Sequence, residues 1–82
     1  ALRYDRERDN APTVVAKGKN LIALKIVDIA QENGVYVMED RPLARALYAS
    51  IEIGQEIPAQ FYEPVAQVLA FVYNLKKKDS IT

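Results

Sequence analysis

At 82 residues the chain has room for one domain, residues 1–82, and a chain of this size buries only ~60% of its unfolded surface. Half of the residues are hydrophobic and 11 basic residues balance 11 acidic ones, which excludes a disordered tail and argues against a dedicated nucleic-acid binder, whose footprint is a basic surplus. Cysteine and histidine are both absent, so disulfides, thiol chemistry, imidazole bases and soft metal sites are excluded, and no apolar run approaches the ~20 residues of a membrane span.

Residues 1–4, "ALRY", read as the end of a strand whose start lies upstream of Ala1, because three of the four are apolar or aromatic with no start signal before them. An unpaired sheet edge or a gap in the core is therefore expected near Leu2 and Tyr4, where an upstream strand would sit. The charged stretch "DRERDNAP", with Asn10 and Pro12, reads as a solvated connection. "TVVAKG", residues 13–18, is β-branched and stopped by glycine, as a second strand would be.

From Asn20 to Asn33 the period becomes helical. Ile22, Ala23, Ile26, Val27, Ile29 and Ala30 share one face, and Lys25, Asp28, Gln31 and Glu32 share the other. Asn20 is the expected N-cap, and Asn33-Gly34 the left-handed terminus. Leu21 and Leu24 fall on the polar side, either covered by a neighbouring loop or offered to a partner. "VYVMED", residues 35–40, is almost continuously apolar at its start and predicts a strand buried on both faces of a parallel or mixed sheet. Asp40 can cap the next helix, with Pro42 in its first turn and Leu43, Ala46 and Leu47 as its apolar stripe. "SIEIGQEIP", residues 50–58, then reads as a surface crossing.

The last helix carries Phe61, Tyr62, Val65, Ala66, Val68, Leu69, Phe71, Val72, Tyr73 and Leu75, more apolar surface than the ~100° stripe a surface helix requires. Either it is wedged between other elements or part of it serves a partner. A short turn is expected after Pro58 and a kink or fresh start at Pro64. Lys76, Lys77 and Lys78 suit a solvated helix C-terminus. The fold class that follows is α/β: a small mixed β-sheet surrounded by about four helices in a single domain.

The inventory of reactive groups is poor. Ser50 and Ser80 lie in no Gly-x-Ser-x-Gly elbow. "AKGKN" lacks the first glycine and the Ser/Thr of a phosphate-binding loop. Glu39-Asp40 and the pair Glu52 and Glu56 have no recognisable catalytic partner, and capping and solvation account for them. In "DNAP", Ala11 separates Asn10 from Pro12, so asparagine cyclisation against a proline leaving group is rejected. No catalytic residue, metal or cofactor is assigned. A generic α/β interaction module, and an enzyme working with carboxylates and tyrosine alone, are the competing function classes.

Four segments, "ALRYDRERDNAPTVVAKGKNLIALKI", "VMEDRPLARALY", "IEIGQEIP" and "AQVLAFVYNLK", resemble in order and spacing the cytoplasmic domain of the FlhB/YscU family of type III secretion export-apparatus switch proteins. The likeness spans nearly the whole chain and is nearer the flagellar branch. It implies a small mixed sheet surrounded by helices, and a protein that works as the cytoplasmic domain of an inner-membrane export component. The implied partners are export substrates of hook, rod and filament type, other export-apparatus components and the upstream fragment of the same protein. Nucleic acid and direct membrane insertion by this chain are not implied.

Family members cleave themselves in an Asn-Pro-Thr-His loop, and export then passes from hook-type to filament-type substrates. That loop is not in this chain. It would lie a few residues before Ala1, which makes the chain either the downstream fragment or a short stand-alone homologue. The resemblance also implies a substrate-docking patch at Ala11, Pro12, Ala66 and Leu69, close together and partly exposed.

Overall fold

Two strands, β1 (Leu2–Arg3) and β2 (Thr13–Val14), pair antiparallel with Leu2 opposite Val14 and Arg3 opposite Thr13. Helices α1 (Asn20–Glu32) and α2 (Arg41–Ser50) follow, then a 3-10 turn at Ala59–Phe61 and α3 (Tyr62–Ile81). The computed structural model describes the backbone of residues 1–81 and the side chains of residues 1–75. The expected roles of Lys76, Lys77, Lys78 and Ser80 lie outside the described residues.

The pairing of β1 and β2 is continued at one end, where the Val15 N–H donates to the Ala1 carbonyl at 3.0 Å. On its other side β2 meets residues 54–57. Val14 N–H donates to Gln55 O at 2.9 Å, Gly54 N–H to Val14 O at 2.7 Å and Ile57 N–H to Pro12 O at 2.9 Å. Gly54, at φ +91°, supplies the left-handed turn that this return requires. The segment expected to cross the surface is therefore part of the fold, and it carries two core residues, Ile51 and Ile57.

The core is Ala11, Val14, Ile51, Ile57, Phe61 and Val65, with Leu2, Leu43, Leu47 and Leu69 packed against it. Each fully buried aliphatic side chain contributes about 1.5–3 kcal/mol. Thus β2, the 51–57 segment and the start of α3 form the stable centre, with Leu43 and Leu47 of α2 packed against it. The expected local signals for α2 hold: Asp40 Oδ1 accepts from Leu43 N at 3.2 Å, and Pro42 sits in the first turn. Of the expected stripe, Leu43 and Leu47 reach the core while Ala46 is exposed. The 3-10 turn follows Pro58 as expected, and α3 starts at Tyr62, so Pro64 falls in a first turn whose amides have no helical acceptor.

The helix period at residues 20–33 is realised as α1, but its ends differ from expectation. Lys19 occupies the N-cap, and Asn20 is the first helical residue, in the left-handed region at φ +53°. Of Asn33 and Gly34 only Gly34 is left-handed. Gly34 N–H donates to Gln31 O at 3.2 Å and Val35 N–H to Ala30 O at 2.8 Å, a paired closure of the last turn known as a Schellman motif.

No residue of α1 is buried, and Leu21 and Ile22 are 80% and 62% exposed. The apolar face is only partly covered: Ala23, Ile26, Val27 and Ala30 are half-buried, while Ile22 and Ile29 stay exposed. Residues 35–40 correct the sequence reading most clearly: they form no strand, and Val35, Tyr36, Val37 and Met38 are exposed. Apolar continuity marks surface that favours burial, and a strand also needs a neighbour to accept its amides, which the described residues do not offer here.

Candidate functional site

The connection from β1 to β2 is held by its own carboxylates. Asp5 O accepts from Arg8 N at 3.2 Å and Asp9 N at 2.8 Å, Asp9 Oδ2 accepts from Asp5 N at 2.9 Å, and Asp5 Oδ1 accepts from Glu7 N at 2.9 Å. Arg8 Nε also lies 3.8 Å from Asp5 Oδ2, on an exposed surface where such a pair contributes little. This local turn projects Arg6 towards α3 and returns the chain through Asn10, Ala11 and Pro12 into β2.

Opposite the connection, Tyr62, Val65, Ala66, Leu69, Ala70 and Tyr73 recur at helical spacing along one side of α3. Between the two runs an open groove of about 590 Å³, within the size range of ligand pockets. Tyr4 and Arg6 contribute from the connection, and Ile57 and Val65 bring core surface to its floor. Arg6 reaches across it, its guanidinium carbon 5.1 Å from the centre of the Tyr73 ring. Arg6 is the one charged side chain on the lining among the described residues.

All four positions implied by the resemblance line this groove. They differ in exposure. Ala66 is exposed and Leu69 half-buried, whereas Ala11, at 4% exposed, and Pro12 are buried. The expectation of partial exposure therefore fails for Ala11 and Pro12: Ala11 joins the core cluster and the Pro12 carbonyl is held by Ile57 N–H. They form floor, and Ala66 and Leu69 form wall.

From the sequence, Tyr4 reads as a strand end, Tyr62 and Tyr73 as part of the apolar surface of the last helix and Arg6 as part of a charged connection, none of them with a place in a groove. The helical spacing of Tyr62, Ala66, Leu69 and Tyr73 carries a signal that was readable, since the four fall on one face. Nothing in the sequence marks Arg6, which is one of two arginines in a charged loop. The lining is apolar and aromatic with one cation, a composition suited to holding an apolar ligand. Among the described residues no cluster of acidic side chains is placed to hold a metal ion, and no helix is long and apolar enough to cross a membrane.

The model of the FlhB HrpN YscU SpaS family matches residues 1–72. The chain is 51% identical over 78 residues to a flagellar biosynthetic protein FlhB of Bacillus subtilis, covering 95% of this chain and 22% of that protein. It is 56% identical over 77 residues to that of Escherichia coli, covering 94% and 20%. The chain thus spans about a fifth of the length of these curated relatives. Among solved structures, a mutated EscU/SpaS C-terminal domain matches with a TM-score of 0.86 at 38% identity, covering 90% of this chain and 91% of that one. The PscU C-terminal domain matches with a TM-score of 0.83 at 37% identity, covering 87% and 90%. The α/β fold of these domains is the fold of this chain.

Proposed function

The chain belongs to the FlhB HrpN YscU SpaS family, and from that membership we propose that it serves as the cytoplasmic domain of a flagellar type III export component. In this reading it docks export substrates and takes part in the change from hook-type to filament-type cargo, alongside other export-apparatus components and the upstream fragment of the same protein. Docking needs no catalytic side chain, which suits a chain without histidine or cysteine.

The observation that carries the proposal is the convergence of Ala11, Pro12, Ala66 and Leu69 on one groove, although more than 50 positions separate the first pair from the second. An export signal that inserts a few apolar side chains there would bury a small area. Small interfaces bind weakly and release quickly, as a site handling a succession of substrates requires.

The test is a titration of isotope-labelled protein with a peptide bearing the apolar export signal of a hook-type substrate, followed by NMR. Shifts are expected at Ala66, Leu69 and Tyr73, with Ala66→Asp weakening binding in a protein that still melts cooperatively. Shifts confined to other surfaces, or unchanged affinity in the folded variant, would place the docking site elsewhere.

A further inference from the structure

The groove has a charge as well as a shape. Its lining is apolar or aromatic except for Arg6, Asn10 and the tyrosine hydroxyls. Arg6 makes no ion pair among the described residues, although it sits in a loop that also carries Asp5, Glu7 and Asp9. Two of those carboxylates are engaged locally, Asp5 by Glu7 N–H and Arg8, and Asp9 by Asp5 N–H. None of the three lines the groove.

The position of the guanidinium matters more than its presence. It lies over the Tyr73 ring, its carbon 5.1 Å from the ring centre, and attraction of the charge to the ring face leaves the N–H donors of the fork for an acceptor. The contact also limits the rotamers of a long side chain, so less freedom is lost when a ligand arrives. A fork held this way matches a carboxylate in bidentate geometry.

We propose that Arg6 is a specificity-determining residue of the groove, selecting peptides in which a Glu or Asp adjoins the apolar anchor that fills the cavity. The inference rests on the docking reading above and deepens it. Apolar side chains lie against Ala66 and Leu69, and the neighbouring carboxylate meets the fork at the Tyr73 end. The apolar contacts hold the segment, and the charge sets which segment and in which direction.

The probes are two short synthetic peptides that share one Leu-Phe anchor and differ only in a neighbouring Glu or Gln. Affinities come from fluorescence anisotropy, with the site located by NMR shifts. The Glu peptide is expected to bind about fivefold more tightly than the Gln peptide at low salt. The preference should shrink at high salt. It should vanish in Arg6→Gln, and fall in Arg6→Lys, which keeps the charge but loses the planar fork.

Arg6 is exposed, so both variants fold, and melting curves beside wild type verify this. Equal binding of the two peptides within the groove overturns the role of Arg6 and leaves docking intact. Binding of neither peptide overturns the docking reading and this one with it. A preference for Glu that survives Arg6→Gln assigns the selectivity to another residue and likewise overturns the proposal.

Discussion

Lys17 lies in the segment that lacks the features of a phosphate-binding loop, and the fold gives it a structural task whose removal can be worked through. Its Nζ donates to Tyr48 O at 3.2 Å and Ile51 O at 3.0 Å, and lies 3.5 Å from Glu52 Oε2. Tyr48 is in the last turn of α2 and Ile51 is its C-cap, so Lys17 serves carbonyls that a helix end leaves without partners. A cation there also complements the negative end of the helix dipole. The ammonium further sits 4.9 Å from the Tyr48 ring centre, with that of Lys19 at 4.8 Å.

Lys17→Met keeps the aliphatic stem and deletes the donors. Hydrogen bonds from charged groups contribute about 1.5–3 kcal/mol. The Lys17 side chain is 21% exposed, so water partly replaces it, and the expected loss is about 2 kcal/mol. At ~4–8 °C per kcal/mol for a domain of this size, Tm should fall by roughly 8–16 °C. Glu52→Gln is the control. Its side chain is 78% exposed, so the loss should stay within ~0.5 kcal/mol. Circular-dichroism melts and urea titrations of both variants decide. A Lys17→Met protein as stable as wild type, or a Glu52→Gln protein equally damaged, would refute the carbonyl clasp and make the ion pair the relevant contact.

Adjacent residues on α3 should behave oppositely: Val65→Ala, at a side chain 1% exposed, should cost about 2–3 kcal/mol by lost burial and a cavity, while exposed Ala66→Asp stays within ~0.7 kcal/mol, both read from urea midpoints. Gly18→Ala would place a Cβ 2.8 Å from Ile22 Cβ and 3.2 Å from the Ile22 backbone carbon, so the first turn of α1 must move; a melt lowered by more than ~1 kcal/mol equivalent is expected, and an unchanged one would contradict the close approach. The outer edge of β1 and the exposed run Val35, Tyr36, Val37 and Met38 offer surface for an added strand, so the family's upstream fragment supplied as a peptide should raise Tm, by up to about 2.7 kcal/mol equivalent at a hundredfold excess over Kd. A Tm independent of peptide concentration would count against that partnership.

What the sequence determined by itself is local. Asp40 and Pro42 start α2 because a carboxylate cap and a preset φ act within a single turn, and Gly34 ends α1 because the left-handed position costs glycine nothing. The 3.6-residue period of α1 and the excess apolar surface of α3 were equally legible, as was the family likeness that singled out Ala11, Pro12, Ala66 and Leu69. Tertiary structure decided where those surfaces went. Residues 35–40 read as a buried strand but form none, and 35–39 are exposed, because a strand is completed by hydrogen bonds from another segment and no local pattern reports whether that segment is there. Ile51 and Ile57 read as loop and became core, because the ladder of residues 54–57 on β2 carries them inward. The groove belongs to the same class: Arg6 and Tyr73 are 67 positions apart, and only the packing of the β1–β2 connection against α3 brings that cation over that ring.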